Sequence, residues 1–311
     1  MRQKNRREEK GQAVGLGRLY NAWIHILLFV CALACIIPFL LVLSISFTSE
    51  NALALSGYSF WPTEFSMEAY QYLFRNPVSI LRGYEITIFV SIVGTALSLM
   101  MTSLIAYVLS RKDYPYRKIL SIYVLITMLF NGGLVPWYLT YTQVLNFKDS
   151  LLALLIPSML VSGFNVIVMK TFFINTIPDG LIDAAQIDGA GEFQIYWKII
   201  LPLSLPVLAA IGFMTVLAYW NNWYNSMVFI NDSSKFSLQY LMTRTLLNLQ
   251  ALKSAMMAGN LSPDMMEMLA DMPSNSVRMA MAVVGIGPML FAFPFAQKYF
   301  VGGLTVGSVK G

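Results

Sequence analysis

Six stretches of this chain contain no Asp, Glu, Lys or Arg: Leu19 to Ser49, Ile86 to Ser110, Ile119 to Phe147, Ser150 to Met169, Ile199 to Asn231 and Met279 to Gln297. A helix needs roughly 20 apolar residues to cross about 30 Å of hydrocarbon, and each stretch reaches that length. Charged residues make up 12% of the 311 positions and hydrophobic ones 57%, with mean hydropathy +0.62. Soluble domains carry about 25% charged residues. The expectation is an all-α integral membrane protein with six transmembrane helices, and an even number of spans puts both termini on one side.

Basic residues choose that side. With alternating spans, the side of the N-terminus collects Arg2, Lys4, Arg6, Arg7, Lys10 and Arg18, then Arg111, Lys112, Arg117, Lys118, Lys170 and Lys198 from short loops. The other side holds fewer Lys and Arg on longer loops, so the positive-inside rule makes the N- and C-termini cytoplasmic. The expected layout is a basic N-terminus over 1–23, a first span over 24–47, an external loop over 48–85 and a membrane-embedded core over 86–298. Within the core lie a cytoplasmic loop at 171–201 and an external segment at 232–278. Residues 299–311 form a cytoplasmic tail. A signal peptide is a poor account of the N-terminus, because the first apolar run is far too long and no small-x-small cleavage site closes it.

The outer segments have their own content. Trp61-Pro62 and the aromatics Tyr58, Phe60, Phe65, Tyr70, Tyr72 and Phe74 suit an ordered cap along the interface. Apolar residues at helical spacing (Leu238, Leu241, Met242, Leu246, Leu249, Leu252) predict a helix over Leu238 to Met257, external or re-entrant. Met256, Met257, Met265, Met266, Met268 and Met272 give that segment adaptable packing, for a changeable partner or simply for fit. Two spans contain helix breakers: Asn131-Gly132-Gly133-Leu134-Val135-Pro136 in the third, and Gly285, Gly287, Pro288 and Pro294 in the sixth. Such breaks mark either a kink from packing or a watery path through the membrane.

Catalytic chemistry is hard to find. Cys31 and Cys35 share a helix face inside the first apolar run and read as small hydrophobes. There is no Gly-x4-Gly-Lys-Ser/Thr loop and no zinc-ligand spacing, and the single His25 leaves no Ser-His-Asp set. His25 is also the one ionisable residue well inside a span, whereas ion-coupled transporters need intramembrane carboxylates or His. The chain is therefore expected not to be an enzyme and to hold no metal or cofactor. Anything it moves uphill must draw energy from another subunit; a secondary transporter or channel is the alternative.

Asp183 to Pro206 is the polar exception between two apolar runs. Pro178 and Asp179 suit a helix start, Ala184 and Ala185 offer a small-residue face, and Gly189 can end the helix in the left-handed region. A second short helix is expected through Phe193 and Trp197, with Pro202 starting the fifth span. Asp179, Asp183, Asp188 and Glu192 give the hairpin an acidic rim, fit for a basic groove on a partner or for solvent.

The pattern Asp183-Ala184-Ala185-x3-Gly189-x9-Ile199-x-Leu201-Pro202 resembles the EAA loop of ABC-importer permease subunits, with Asp183 where that family most often has Glu. Ser59-Phe60-Trp61-Pro62, Phe65-Ser66-Met67-Glu68-Ala69-Tyr70, Asn131 to Pro136 and the ending Gln297 to Gly311 are similar to carbohydrate-uptake permeases related to the second maltose-permease subunit. The resemblance implies the type I ABC-importer permease fold in a bacterial cytoplasmic membrane. It also implies a coupling role for Asp183, Ala184, Ala185, Asp188, Gly189, Ile199, Leu201 and Pro202. The implied partners are a homologous permease, two copies of a cytoplasmic ATPase that carries ATP and Mg, and an external solute-binding protein. Membrane lipid surrounds the chain, and no nucleic acid is expected.

Asn131, Trp220, Asn221, Asn222 and Trp223 are candidates for the substrate path. Aromatic faces and amides recognise sugars, although Trp220 to Ser226 equally fits an interfacial aromatic belt.

Overall fold

The computed structural model describes residues 18–75, 77–157, 159–257 and 274–307. Among these the secondary structure is helical apart from one isolated bridge between Thr48 and Phe65. The chain divides into two compact units, one of Met1–Leu73 with Ser262–Val283, the other of Phe74–Leu261 with Val284–Gly311. The basic residues of 1–17, Met265, Met266, Met268 and Met272, and residues 308–311 of the C-terminal motif lie outside the described residues.

In the first unit, helix α1 (Arg18–Ser46) is long and apolar enough to cross a membrane. Through most of its length its side chains are exposed, Trp23 at 70% and Leu27 and Phe29 at 63%, as a lipid-facing helix requires, and only its last turn, Ser44 to Ser46, is buried. The cap that follows is ordered. Ser49 opens α2 (Glu50–Ser56) by accepting from Ala52 N at 3.2 Å, and its hydroxyl donates to Glu64 Oε2 at 2.7 Å. Phe47 stacks on Phe65 at 5.5 Å and leans on Tyr70 at 4.9 Å, beside α3 (Glu68–Leu73).

Glu50 is the polar centre of this unit. Its carboxylate accepts from Asn275 N, Ser276 N, Ser274 Oγ, Asn275 Nδ2 and Ser276 Oγ, all at 2.9–3.1 Å. The two backbone N–H groups among them are orphan donors at the start of α14 (Asn275–Gly307). Burial opposes the charge there, but the convergent donors outweigh it and hold the carboxyl below its ordinary range.

The second unit is organised by α4 (Pro77–Ser110). It begins inside the segment read from sequence as the external loop 48–85, because neither Arg82 nor Glu85 interrupts the helix: both are exposed on its surface. Its buried face is small and hydroxylated: Gly83, Thr87, Ser91, Gly94, Thr95, Ser98, Thr102, Ser103, Ala106. Small residues let helix backbones approach closely, which is how apolar helices associate in lipid. At Gly94 a Cβ would lie 2.5 Å from the Tyr219 ring on α11 (Leu205–Trp220).

The third charge-free stretch forms α5 (Arg117–Leu129) and α6 (Leu134–Val144), bent 114° at the Asn-Gly-Gly break, where Gly133 has φ +86°. The fourth forms α7 (Leu152–Leu155) and α8 (Gly163–Thr176), separated around Pro157. In the fifth, α11 is followed by α12 (Tyr224–Phe229). Helix α13 (Leu238–Met257) coincides with the apolar spacing that predicted it; its first N–H, on Leu238, donates to Thr87 Oγ1 of α4 at 2.9 Å.

The sixth stretch corrects an expectation. Pro288 and Pro294 lie inside α14, which continues past both. A proline at position 288 strips Val284 C=O of its helical donor. Tyr84 OH supplies a replacement at 2.7 Å, and Trp220 Nε1 donates to the adjacent Gly285 C=O at 2.9 Å. With the Val284 carbonyl satisfied from a neighbouring helix, the donor lost at Pro288 is replaced and the helix continues through that position. By length and composition α1 and α4 qualify as single spans among the described residues. The pair α5–α6 and the pair formed by α10 (Glu192–Leu203) with α11, bent 79°, qualify as broken ones.

Candidate coupling hairpin and substrate cavity

Helix α9 (Asp179–Ile187) starts where the Pro-Asp pair placed it. It ends in a closed motif: Ala190 N donates to Ala185 C=O at 2.9 Å and Gly189 N to Gln186 C=O at 3.0 Å, with Gly189 at φ +82°. This satisfies carbonyls that a helix end leaves orphaned. Open space surrounds Gly189 where a Cβ would stand, so its constraint is the backbone angle and not crowding.

The hairpin turns one face inward. Ile182, Ile195, Tyr196 and Ile200 join Ala106, Tyr107, Met169, Phe173, Ile177, Val207 and Ile211 in one apolar core, with Ala185, Ile199 and Leu201 packed against it. Its other face is exposed and carries Asp183, Ala184, Asp188 and Gly189, with Ile187 at 86% and Phe193 at 72%. Two bulky apolar side chains beside small residues are costly to leave in water, and such patches mark contact surfaces.

Polar bonds fasten the hairpin to the end of α4. Glu192 accepts from Tyr107 OH and from Gln186 Nε2 (3.0 Å), and Arg111 stands 3.7 Å away. Ser103 Oγ and Tyr196 OH share a bond of 2.6 Å. Lys112 Nζ meets Asp179 Oδ2 at 2.5 Å and lowers the carboxyl's pKa. Sequence reasoning placed all four acids on one rim. All four are exposed, but Asp179 and Glu192 meet bases of their own chain, whereas Asp183 and Asp188 have no ion-pair partner among the described residues. Asp183 sits a full turn inside α9, behind Pro178 as N-cap, so it does not cap its own helix. The anchors Ser103, Tyr107 and Arg111 were missed as functional residues. Their i,i+4 spacing, with Arg111 just after an apolar run, was the available signal.

Pro202 does not start the fifth span. Helix α10 runs through it to Leu203, and α11 begins at Leu205 with exposed Pro202 behind the bend. The turn Tyr196–Ile200 is a π-helix, with Leu201 N donating to Tyr196 C=O. That one-residue slip of the ladder precedes Pro202, which has no N–H to offer.

A second concavity, about 450 Å³, lies toward the opposite end of α4 from the hairpin; Asn131, Gly133, Leu134, Trp137, Pro157, Met159, Asn222, Tyr224 and Asn225 line it. The core beneath it includes Val90, whereas the hairpin's includes Ala106. Sixteen helical residues separate these by about 24 Å. The structure brings Asn131 and Asn222 together here. Their Oδ1 atoms accept from Gly133 N (2.8 Å) and Asn225 N (3.0 Å), so each amide NH₂ remains as a donor. Trp137 and Tyr224 stack at 6.1 Å. Three other candidates do not line it: Trp220 is buried on Gly285 C=O, Asn221 Nδ2 bonds Leu217 C=O at 2.9 Å, and Trp223 packs edge-on to Tyr224. Asn225 and Tyr224 fall within the segment Trp220 to Ser226 read from sequence, whereas Trp137 was not foreseen, because only the bend between α5 and α6 brings it to this wall.

Residues 86–306 match the family described as "Binding-protein-dependent transport system inner membrane component". The chain belongs to this family. Among its relatives, the "Polygalacturonan/rhamnogalacturonan transport system permease protein YtcP" of Bacillus subtilis (strain 168) is 36% identical over 296 residues, covering 94% of this chain and 99% of the relative. The "Arabinooligosaccharides transport system permease protein AraQ" of Halalkalibacterium halodurans is 28% identical over 284 residues, covering 90% and 93%. A solved chain from a bacterial ABC transporter involved in import of the acidic polysaccharide alginate has a TM-score of 0.75. It is 28% identical, with 91% of this chain and 97% of that one covered. The chain is thus a permease component of an ABC transporter.

Proposed function

We propose that this chain is one of two permease subunits in an ATP-driven importer of carbohydrate, di- or oligosaccharide in size. It spans a bacterial cytoplasmic membrane six times with both termini in the cytoplasm. A homologous permease lies beside it, two copies of an ATPase bind below, and a solute-binding protein docks outside. ATP and Mg belong to the ATPase; this chain supplies no catalytic group.

The single observation that carries the reading is the hairpin 179–203, exposed on one face and bonded to α4 on the other. Motion of an ATPase against Ala184, Ile187 and Phe193 passes through Glu192 to Tyr107 and Arg111. It therefore acts on the helix whose middle turns, at Val90, pack in the core beneath the cavity. ATP-driven closure of the ATPases would tilt these helices from inward-open to outward-open, and the binding protein would then release sugar into the path between the two permeases. The named substrates of the relatives favour oligosaccharide, and a lining of amides and aromatic rings suits sugar hydroxyls and ring faces.

The test is a ligand screen on the cognate binding protein, followed by ATPase stimulation in the reconstituted complex. Stimulation by a loaded binding protein carrying an oligosaccharide supports the reading. A complex whose ATPase ignores every sugar-loaded binding protein contradicts it.

A further inference from the structure

A separate cavity of about 480 Å³ opens on the hairpin end of α4, lined by Leu109, Arg117, Lys118, Ser121, Ile122, Lys170 and Ile174. Its charge is unbalanced. Among the described residues, the neighbouring bases are matched: Arg111 with Asp113 and Glu192, Lys112 with Asp179. Arg117, Lys118 and Lys170 have no carboxylate within ion-pair distance, and Lys170 Nζ finds only Ser121 Oγ, at 2.9 Å. Arg117 and Lys118 also occupy the first turn of α5, which has no acidic residue and no capping side chain. Cations at the positive end of a helix dipole are unfavourable. Three bases and a helix start therefore converge on one space, and a bound anion would relieve them together.

The apolar part of the lining says which anion. Ile122 (56% exposed) and Ile174 (49%) extend the wall beyond the basic rim. A free phosphate has no use for such a wall, whereas a phospholipid has a phosphate for the bases and an acyl chain for the isoleucines. We propose that Arg117, Lys118 and Lys170 hold the headgroup phosphate of an anionic phospholipid, whose chain lies along Ile122 and Ile174. The site requires only that this end of the helices meets a headgroup layer, and it is independent of which sugar is carried.

The experiment uses the whole detergent-purified importer and native mass spectrometry, titrating short-chain phosphatidylglycerol against phosphatidylcholine of equal chain length. Tighter binding of phosphatidylglycerol is expected. It should weaken about fivefold in Lys118→Gln and about 100-fold when Arg117, Lys118 and Lys170 all become Gln, by the usual contribution of each base to anionic lipid binding. Lys118→Arg should retain it. Equal binding of the two lipids, or unchanged binding by the glutamine variants, overturns the proposal. Displacement of phosphatidylglycerol by inorganic phosphate at similar concentration makes the site a free-anion site and overturns the lipid. If the triple variant fails to co-purify with its ATPase, the exposed single position Lys118 decides.

Discussion

At the scale of single residues, two positions bear most directly on the hairpin. Gly189 sits at φ +82° with nothing near its missing Cβ, so Gly189→Val should distort the turn by about 1–2 kcal/mol without any clash. Sugar uptake should collapse while the chain remains in the membrane; undiminished uptake by cells carrying the variant would show the turn geometry to be irrelevant. Glu192 joins α9, α10 and α4, and Tyr107→Phe removes one of its donors while keeping the ring. The expected result is weaker stimulation of ATP hydrolysis by loaded binding protein with normal basal hydrolysis; equal loss of both would point to misfolding instead. Glu50 has a different part, closing the start of α14. Its folded pKa is depressed below the ordinary 4.5, so its stabilisation is complete above that value and lost as pH falls through the lower folded one. Glu50→Gln should melt earlier than the parent near neutrality, with the two melting curves converging in acid. A gap that stays constant with pH would rule out the carboxylate as the cause.

At the scale of elements, the stiff parts of the fold depend on close approach and on satisfied carbonyls. Gly94→Ala puts a methyl group into the Tyr219 ring and should cost about 1–3 kcal/mol by overpacking, read as a lower melting temperature of the purified complex. Tyr84→Phe leaves the Val284 carbonyl without the donor that Pro288 denies it, a loss of about 1–3 kcal/mol; a melting temperature unchanged by this variant would contradict the account of why α14 stays continuous. These details also show what was legible beforehand. The start and end of α9, the length of α13 and the break at Asn131 to Gly133 follow from local rules: proline, glycine and apolar spacing act within a few residues. The continuity of α14 and the displaced start of α11 do not, because Tyr84 and Trp220 lie far from Pro288 in sequence, and the π-turn before Pro202 has no signature of its own. The loop motif was readable as spacing; the division of its acids into two with a base beside them and two without required knowing that Lys112 and Arg111 reach it.

At the scale of the whole molecule, charge-free length announced a membrane protein, and the missing intramembrane carboxylates pointed to a separate source of energy. Membership of the transport family, an inner membrane component, agrees with the first. Of the substrate residues read from sequence, Asn131 and Asn222 meet at one cavity and Trp220 serves the packing of α14, which recasts an apparent recognition cluster as part structure and part lining. Alanine at both Asn131 and Asn222 should raise the sugar concentration needed for half-maximal uptake without altering basal ATP hydrolysis; identical uptake curves would return that segment to an interfacial belt. The central claim is that the hairpin 179–203 transmits ATPase motion to α4. It is tested most directly by measuring ATP hydrolysis and labelled oligosaccharide uptake together in vesicles containing the complete importer with its binding protein, for the parent and for Ala184→Leu, which changes the exposed face and leaves the core packing alone. The account predicts that the variant assembles and hydrolyses ATP but no longer takes up sugar. Sugar uptake per ATP equal to the parent's would contradict it.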